Sequence, residues 1–348
     1  MASSVAVFRT LRVSASFASK VVNRKVPASA VLSSNFKLTE KRSMSTNTTG
    51  EKSLDLSGIF PPVITPFDDQ ENIKYDQMGN NMKRFSEIPF RGFVVLGSNG
   101  ESVYLSKEEK VETVKKMREM APKDKIILAG SGCESTRDTI EMSTLMAEVG
   151  ADAVLVITPC FYKGSMTADA LFQHFTKVAG ASPVPVVLYN VSKFTGVDIT
   201  AETAIRLSAH PNIIGLKESS GDVAKIGSVV HKTKGNNFQV LAGSASFLLP
   251  AYAVGAVGGV CALANVLGNE CCDLHKLYHT GKYDEARSLQ HRLIAPNAAV
   301  TSKFGVPGLK QSMEWFGLYG GPVRSPLLPL TKQQMEDARS AFTGNGFL

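Results

Sequence analysis

Lys217 ends the short apolar run Ile213-Ile214-Gly215-Leu216, and the small polar stretch Glu218-Ser219-Ser220-Gly221-Asp222 follows it. Ammonium groups are seldom buried without a partner, and an amine held in an apolar site loses its proton more readily and attacks carbonyl carbons. The plainer alternative is a lysine that snorkels from a strand end to water. Tyr189-Asn190 ends a second apolar run, Pro185-Val186-Val187-Leu188. There a phenol suited to moving protons stands against the alternative of a core tyrosine with a satisfied hydroxyl. The loop Gly97-Ser98-Asn99-Gly100-Glu101 follows a third run, Gly92 to Leu96. Its backbone amides and hydroxyl suit a carboxylate or phosphate, and a plain turn is the alternative. Tyr162, after Thr158-Pro159-Cys160-Phe161, reads equally as a packed loop aromatic, and Gly243-Ser244-Ala245 is generic on its own.

The elements that must position these groups alternate regularly. Apolar runs at Ile59–Ile64, Gly92–Leu96, Ile126–Ala129, Ala153–Ile157, Pro185–Tyr189, Ile213–Lys217, Phe238–Leu241 and Val257–Ala262 predict strands. Amphipathic stretches of about 10 to 15 residues separate them, one opening on the capping-box pattern at Ser106 and Glu109. Continuous apolar strands alternating with helices imply a parallel sheet buried on both faces, and eight such units predict a (β/α)8 TIM barrel. An open doubly wound sheet is the runner-up. Four helical patterns follow, Cys271–His279, Tyr283–Leu293, Pro307–Trp315 and Lys332–Phe342. They predict a C-terminal helical extension (about 281–348) on a barrel of about 58–280, both within a single catalytic domain, 51–348.

The net charge of +7 belongs to residues 1–50, which hold eight basic residues against the single acid Glu40. The remainder is neutral, so charge gives no reason to expect a nucleic-acid or membrane partner. This leader is serine-rich, nearly free of acids and lacks a continuous apolar core, which predicts a mitochondrial transit peptide and a matrix location; a basic tail is the alternative. Nothing in the sequence approaches a transmembrane span. Cys133, Cys160, Cys261, Cys271 and Cys272 are odd in number and scattered, and read as free thiols.

Barrels of this kind carry their chemistry at the C-terminal ends of the strands. Neighbouring strands five and six would set Tyr189 beside Lys217. The amine can form an imine with a ketone, and the phenol can relay protons to and from the substrate oxygens. Three motifs in this order, Gly97-Ser98-Asn99-Gly100-Glu101, Tyr189-Asn190-Val191 and Gly215-Leu216-Lys217-Glu218-Ser219-Ser220-Gly221-Asp222, resemble the dihydrodipicolinate synthase and N-acetylneuraminate lyase family of pyruvate-handling class I aldolases. The resemblance covers the chain from about Gly58 onward. It implies Lys217 as the Schiff-base lysine, Tyr189 as the proton relay, and Ser98 with Asn99 as the carboxylate site. It also implies a relay completed by Tyr162 from a neighbouring subunit, and a homotetramer, a dimer of dimers. Gly97, Ser219 and Gly243 complete the candidate substrate-binding set, Ser219 as a candidate for the distal carboxylate.

Departures from the family pattern narrow the substrate. Synthases of the family usually carry an arginine five residues after the relay tyrosine for a semialdehyde carboxylate, and Phe194 stands there. Ser192 stands where a proline is usual. The Ser-Asn loop, the segment Ala129–Thr136, the tail ending near Gly346 and the leader together resemble the mitochondrial branch of the family. That branch cleaves 4-hydroxy-2-oxoglutarate, an intermediate of hydroxyproline catabolism, to pyruvate and glyoxylate. A lyase for another 2-oxo acid and a non-catalytic 2-oxo acid sensor are the alternatives. The imine is the electron sink, so neither a cofactor nor a metal is expected. His275 and His279 have a zinc-compatible spacing but no acidic partner in the metalloprotease pattern, and no nucleotide fingerprint occurs in strand-turn-helix context.

Overall fold

The computed structural model of the protein describes residues 54–348. The expected leader therefore lies outside the described residues. Among those described, eight parallel strands form one sheet: β1 (Gly58–Phe60), β2 (Gly92–Val95), β3 (Ile126–Gly130), β4 (Ala153–Ile157), β5 (Val186–Asn190), β6 (Ile213–Glu218), β7 (Gln239–Ala242) and β8 (Gly258–Val260). Each strand pairs with its sequence neighbour from β2 to β8, and β8 pairs with β1. The fold is the expected TIM barrel.

The first strand is shorter than its apolar run. Pro61 and Pro62 lack amide hydrogens and cannot extend a ladder, so β1 stops at Phe60. The barrel closes beyond it through an isolated bridge, in which Val94 donates to Pro61 O and Val63 to Val94 O, both at 3.0 Å. Glycine-rich β8 is likewise confined to Gly258–Val260. The helix starts follow the sequence closely. Ser106, Ser135, Thr167, Thr200 and Asp222 each cap a helix by accepting a backbone N–H three residues on, and the Ser106–Glu109 capping box is complete.

Strand periodicity of two divides the apolar residues between two cores. Phe60, Val94, Leu128, Leu155, Val187, Leu241 and Val260 fill the barrel, while Ile59, Phe93, Val95, Ile127, Val154, Leu188 and Val240 pack outward under the helices. On β6 this alternation breaks. Ile213 faces outward and Ile214 inward, yet Leu216 faces outward again. The cause is a bulge: Val186 pairs with Ile213 but Val187 with Gly215, which leaves Ile214 as the extra residue. Strict alternation from Ile214 would turn Lys217 out of the barrel, and the bulge restores it to the inner face beside Tyr189. Gly215 is required because a Cβ there would lie 2.3 Å from the carbonyl oxygen of Gln239. Gly215→Ala is expected to lower unfolding stability by about 1–3 kcal/mol, measured as a shift in the denaturant midpoint; an unchanged midpoint would show that the bulge has room to spare.

Helix Gly268–His279 follows β8 and packs against β1, and the extension comprises helices Tyr283–Ala298, Gly305–Trp315 and Lys332–Thr343. The first of these three continues into a π-helical turn, Ala299–Lys303, an irregularity that often marks functional positions. This turn and the start of the next helix bend over the C-terminal ends of the strands.

Candidate active site

Lys217 and Tyr189 are direct register partners on β6 and β5. The Lys217 ammonium lies 3.9 Å from the centre of the Tyr189 ring, and Lys217 is 3% exposed. Among the described residues no carboxylate comes within ion-pair distance of it. The Tyr189 hydroxyl shares a hydrogen bond of 3.1 Å with Ser98 Oγ, which reaches across from the loop after β2. An amine, a phenol and a loop hydroxyl thus stand in a row at the mouth of the barrel.

They line a cavity of about 490 Å³, together with Asn99, Ser219 and Gly243. Ser219 Oγ is buried with no hydrogen-bond partner in the chain, which leaves it available to a ligand. Gly243 makes room for it, because a Cβ there would meet Ser219 Oγ at 1.9 Å. The extension supplies the opposite wall through Asn297, Thr301, Gly305 and Val306. A second cavity of about 650 Å³ shares Ser98, Tyr189 and Phe194 with the first, and Gly97 lines only the second.

Two amides close the turn Ser98–Gly100, its own Gly100 N on Gly97 O at 2.9 Å and the following Glu101 N on Ser98 O at 3.2 Å. The side chains of Ser98 and Asn99 and the first amides of the turn are left for a ligand. Tyr162 stands apart. It is 73% exposed, stacks edge-on against exposed Phe161 and lines neither cavity, so one chain alone does not bring it to Tyr189.

Two charged networks behind the site escaped the sequence reading. The first lies under the loop after β5. Fully buried Glu218 accepts from Asn190 Nδ2 and from the Ser220 amide, and pairs with Lys225 at 2.9 Å; Lys225 also reaches Asp198 at 2.9 Å. This network fixes Ser219-Ser220 and the segment carrying Phe194. Its only sequence signal was the charge at Glu218, directly after the lysine. The second joins Glu101 of the anion loop to Lys310 of the extension, with both side chains nearly inaccessible. Burial pushes the Lys310 ammonium down to about 8, against the pull of Glu101.

Other candidate groups lack the setting for chemistry. Cys261, at the end of β8, is fully buried, and burial pushes its thiol up to about 12, so the reactive thiolate is scarce at neutral pH. His275 Nδ1 is engaged with the Tyr252 hydroxyl at 2.9 Å, and its ring packs on His279. No cluster of three or more metal-ligating side chains occurs among the described residues. No described helix is long and apolar enough to cross a membrane.

A profile of the dihydrodipicolinate synthetase family matches residues 55–344. The 4-hydroxy-tetrahydrodipicolinate synthase of Methanothrix thermoacetophila is 34% identical over 286 residues, covering 82% of this chain and 96% of the relative. That of Natronomonas pharaonis is 33% identical, with 81% and 95% covered. Among solved structures, a dihydrodipicolinate synthase from Bacillus anthracis superposes with a TM-score of 0.80 at 31% identity, covering 83% of this chain and 98% of that one. The 4-hydroxy-tetrahydrodipicolinate synthase of Methylacidiphilum fumariolicum gives 0.78 at 31% identity, with 84% and 96% covered.

Proposed function

The chain belongs to the dihydrodipicolinate synthetase family and is a carbon–carbon lyase of the pyruvate-dependent class I kind, and from that premise we propose that it cleaves 4-hydroxy-2-oxoglutarate to pyruvate and glyoxylate. The observation that carries the mechanism is the row Lys217, Tyr189, Ser98 in one cavity. The amine of Lys217 adds to the C2 ketone. Tyr189 gives its proton to the resulting hydroxyl, which leaves as water, and an iminium and a tyrosinate remain. The tyrosinate takes the proton of the 4-hydroxyl. The O–H electron pair becomes the carbonyl bond of glyoxylate, the C3–C4 bond breaks, and its electrons pass into the imine to form an enamine. Tyr189 returns the proton to C3, and water hydrolyses the pyruvate imine from Lys217. Ser98 and Asn99 hold the C1 carboxylate throughout, and Ser219 is proposed for the distal one.

Phe194 supports the choice of substrate. It lines the mouth of both cavities at the position where family synthases usually place an arginine for a semialdehyde carboxylate. The second reading, the tetrahydrodipicolinate synthesis named for the relatives, is favoured by those names and disfavoured by that residue. Condensation rates of pyruvate with glyoxylate, with longer aldehydes and with aspartate semialdehyde separate the readings. Glyoxylate is expected to have the highest kcat/KM, and a preference for the semialdehyde would overturn the proposal. Exposed Tyr162 supports a relay completed by a second copy within a homotetramer, to be tested by light scattering and by loss of turnover in Tyr162→Phe. The composition of residues 1–50 supports the mitochondrial matrix as the compartment, and import of a reporter fused to them tests it.

A further inference from the structure

Two non-glycine residues in the left-handed region bracket the anion loop: Leu96 at φ 61° and Glu101 at φ 52°. Such backbone is strained for an ordinary residue and persists where the surroundings over-determine it. At Glu101 those surroundings come from the far end of the chain. One carboxylate oxygen, Oε1, forms an ion pair with Lys310 Nζ at 2.6 Å. The other, Oε2, accepts from the Arg324 amide at 2.8 Å. Lys310 Nζ donates to Pro322 O at 2.7 Å and lies over the Phe67 ring. The Arg324 guanidinium donates to Tyr104 O at 2.9 Å and grips both oxygens of Glu109.

Residues from the extension therefore hold Glu101 and Tyr104 together, while the Glu101 amide closes the turn that carries Ser98 and Asn99. Lys310 lines neither cavity, so it is no second nucleophile. A buried ion pair adds little net stability over well-packed apolar side chains, and its best-attested use is to specify one conformation.

We propose that the Glu101–Lys310 pair is a positioning clamp through which the C-terminal extension fixes the carboxylate-binding loop and so sets affinity for the 2-oxo acid. The inference rests on the reading that Ser98 and Asn99 receive the substrate carboxylate. The test uses the full chain and measures pyruvate KM and kcat in condensation with glyoxylate, with borohydride trapping of the pyruvate adduct. The variants are Glu101→Gln and the double variant Glu101→Gln/Lys310→Met, which removes both charges. The double variant is expected to regain most of the thermal stability lost by Glu101→Gln, while its pyruvate KM stays about 10-fold or more above wild type and kcat falls by less than KM rises. Glu101→Asp keeps the charge but shortens its reach, and gives the same KM reading should the double variant not fold. A folded variant with wild-type KM, alongside a normal wild-type adduct on Lys217, overturns the clamp alone. Absence of the adduct in the wild-type protein overturns the Schiff-base reading and the clamp with it.

Discussion

Lys217→Ala is expected to abolish turnover, with kcat/KM falling by about 10⁴-fold or more, the scale on which enzymes lose activity when a covalent nucleophile is removed. The fold should survive the change. The Lys217 side chain forms no ion pair among the described residues and lines a cavity, so its removal strands no buried carboxylate. The unfolding midpoint should therefore stay close to wild type while activity disappears. Turnover above about 1% of wild type in a folded Lys217→Ala protein would move the nucleophile elsewhere, and steady-state assay with a denaturation curve reads both quantities.

Tyr189→Phe should separate imine formation from bond cleavage. The ring that packs against the Lys217 amine remains, and only the hydroxyl that meets Ser98 at 3.1 Å is lost. Removal of a positioned proton carrier lowers rates by about 10²–10⁴-fold. The fall should appear mainly in kcat, because the carboxylate loop still binds. The pyruvate adduct on Lys217 should still be trapped, though more slowly. An unchanged kcat would remove the phenol from the proton path, and a variant unable to form any adduct would make it indispensable to imine formation as well.

The eight strand–helix units and most helix starts were legible in the sequence because they depend on local signals: apolar runs, capping side chains and small polar breaks. Lys217 and Tyr189 were legible as strand-end residues for the same reason. That Lys217 faces the barrel interior was not, because the bulge at Ile214–Gly215 shifts the strand's facing by one residue and depends on pairing with Val186 and Val187. The early end of β1 did carry a signal, the missing amide hydrogens of Pro61-Pro62. Glu101 and Lys310 carried none. They lie in distant elements that only the closed fold brings together, and each alone reads as an ordinary solvated charge. Glu218 signalled itself only as a charge directly after the lysine; its partners Lys225 and Asn190, and Asp198 beyond them, come from elements that the fold brings together, and that pairing lets Glu218 be buried. Tyr162 marks a different boundary, because its proposed role needs a second copy of the chain.

The central claim is that Lys217 forms a covalent imine with a 2-oxo acid. Incubation with pyruvate followed by borohydride reduction converts such an imine to a stable secondary amine, and peptide mass spectrometry locates it. The account predicts one adduct per chain, on the peptide containing Lys217, formed with pyruvate and absent without it. A chain that turns over its substrate yet carries no adduct on Lys217, or carries it on Lys310, would contradict the account.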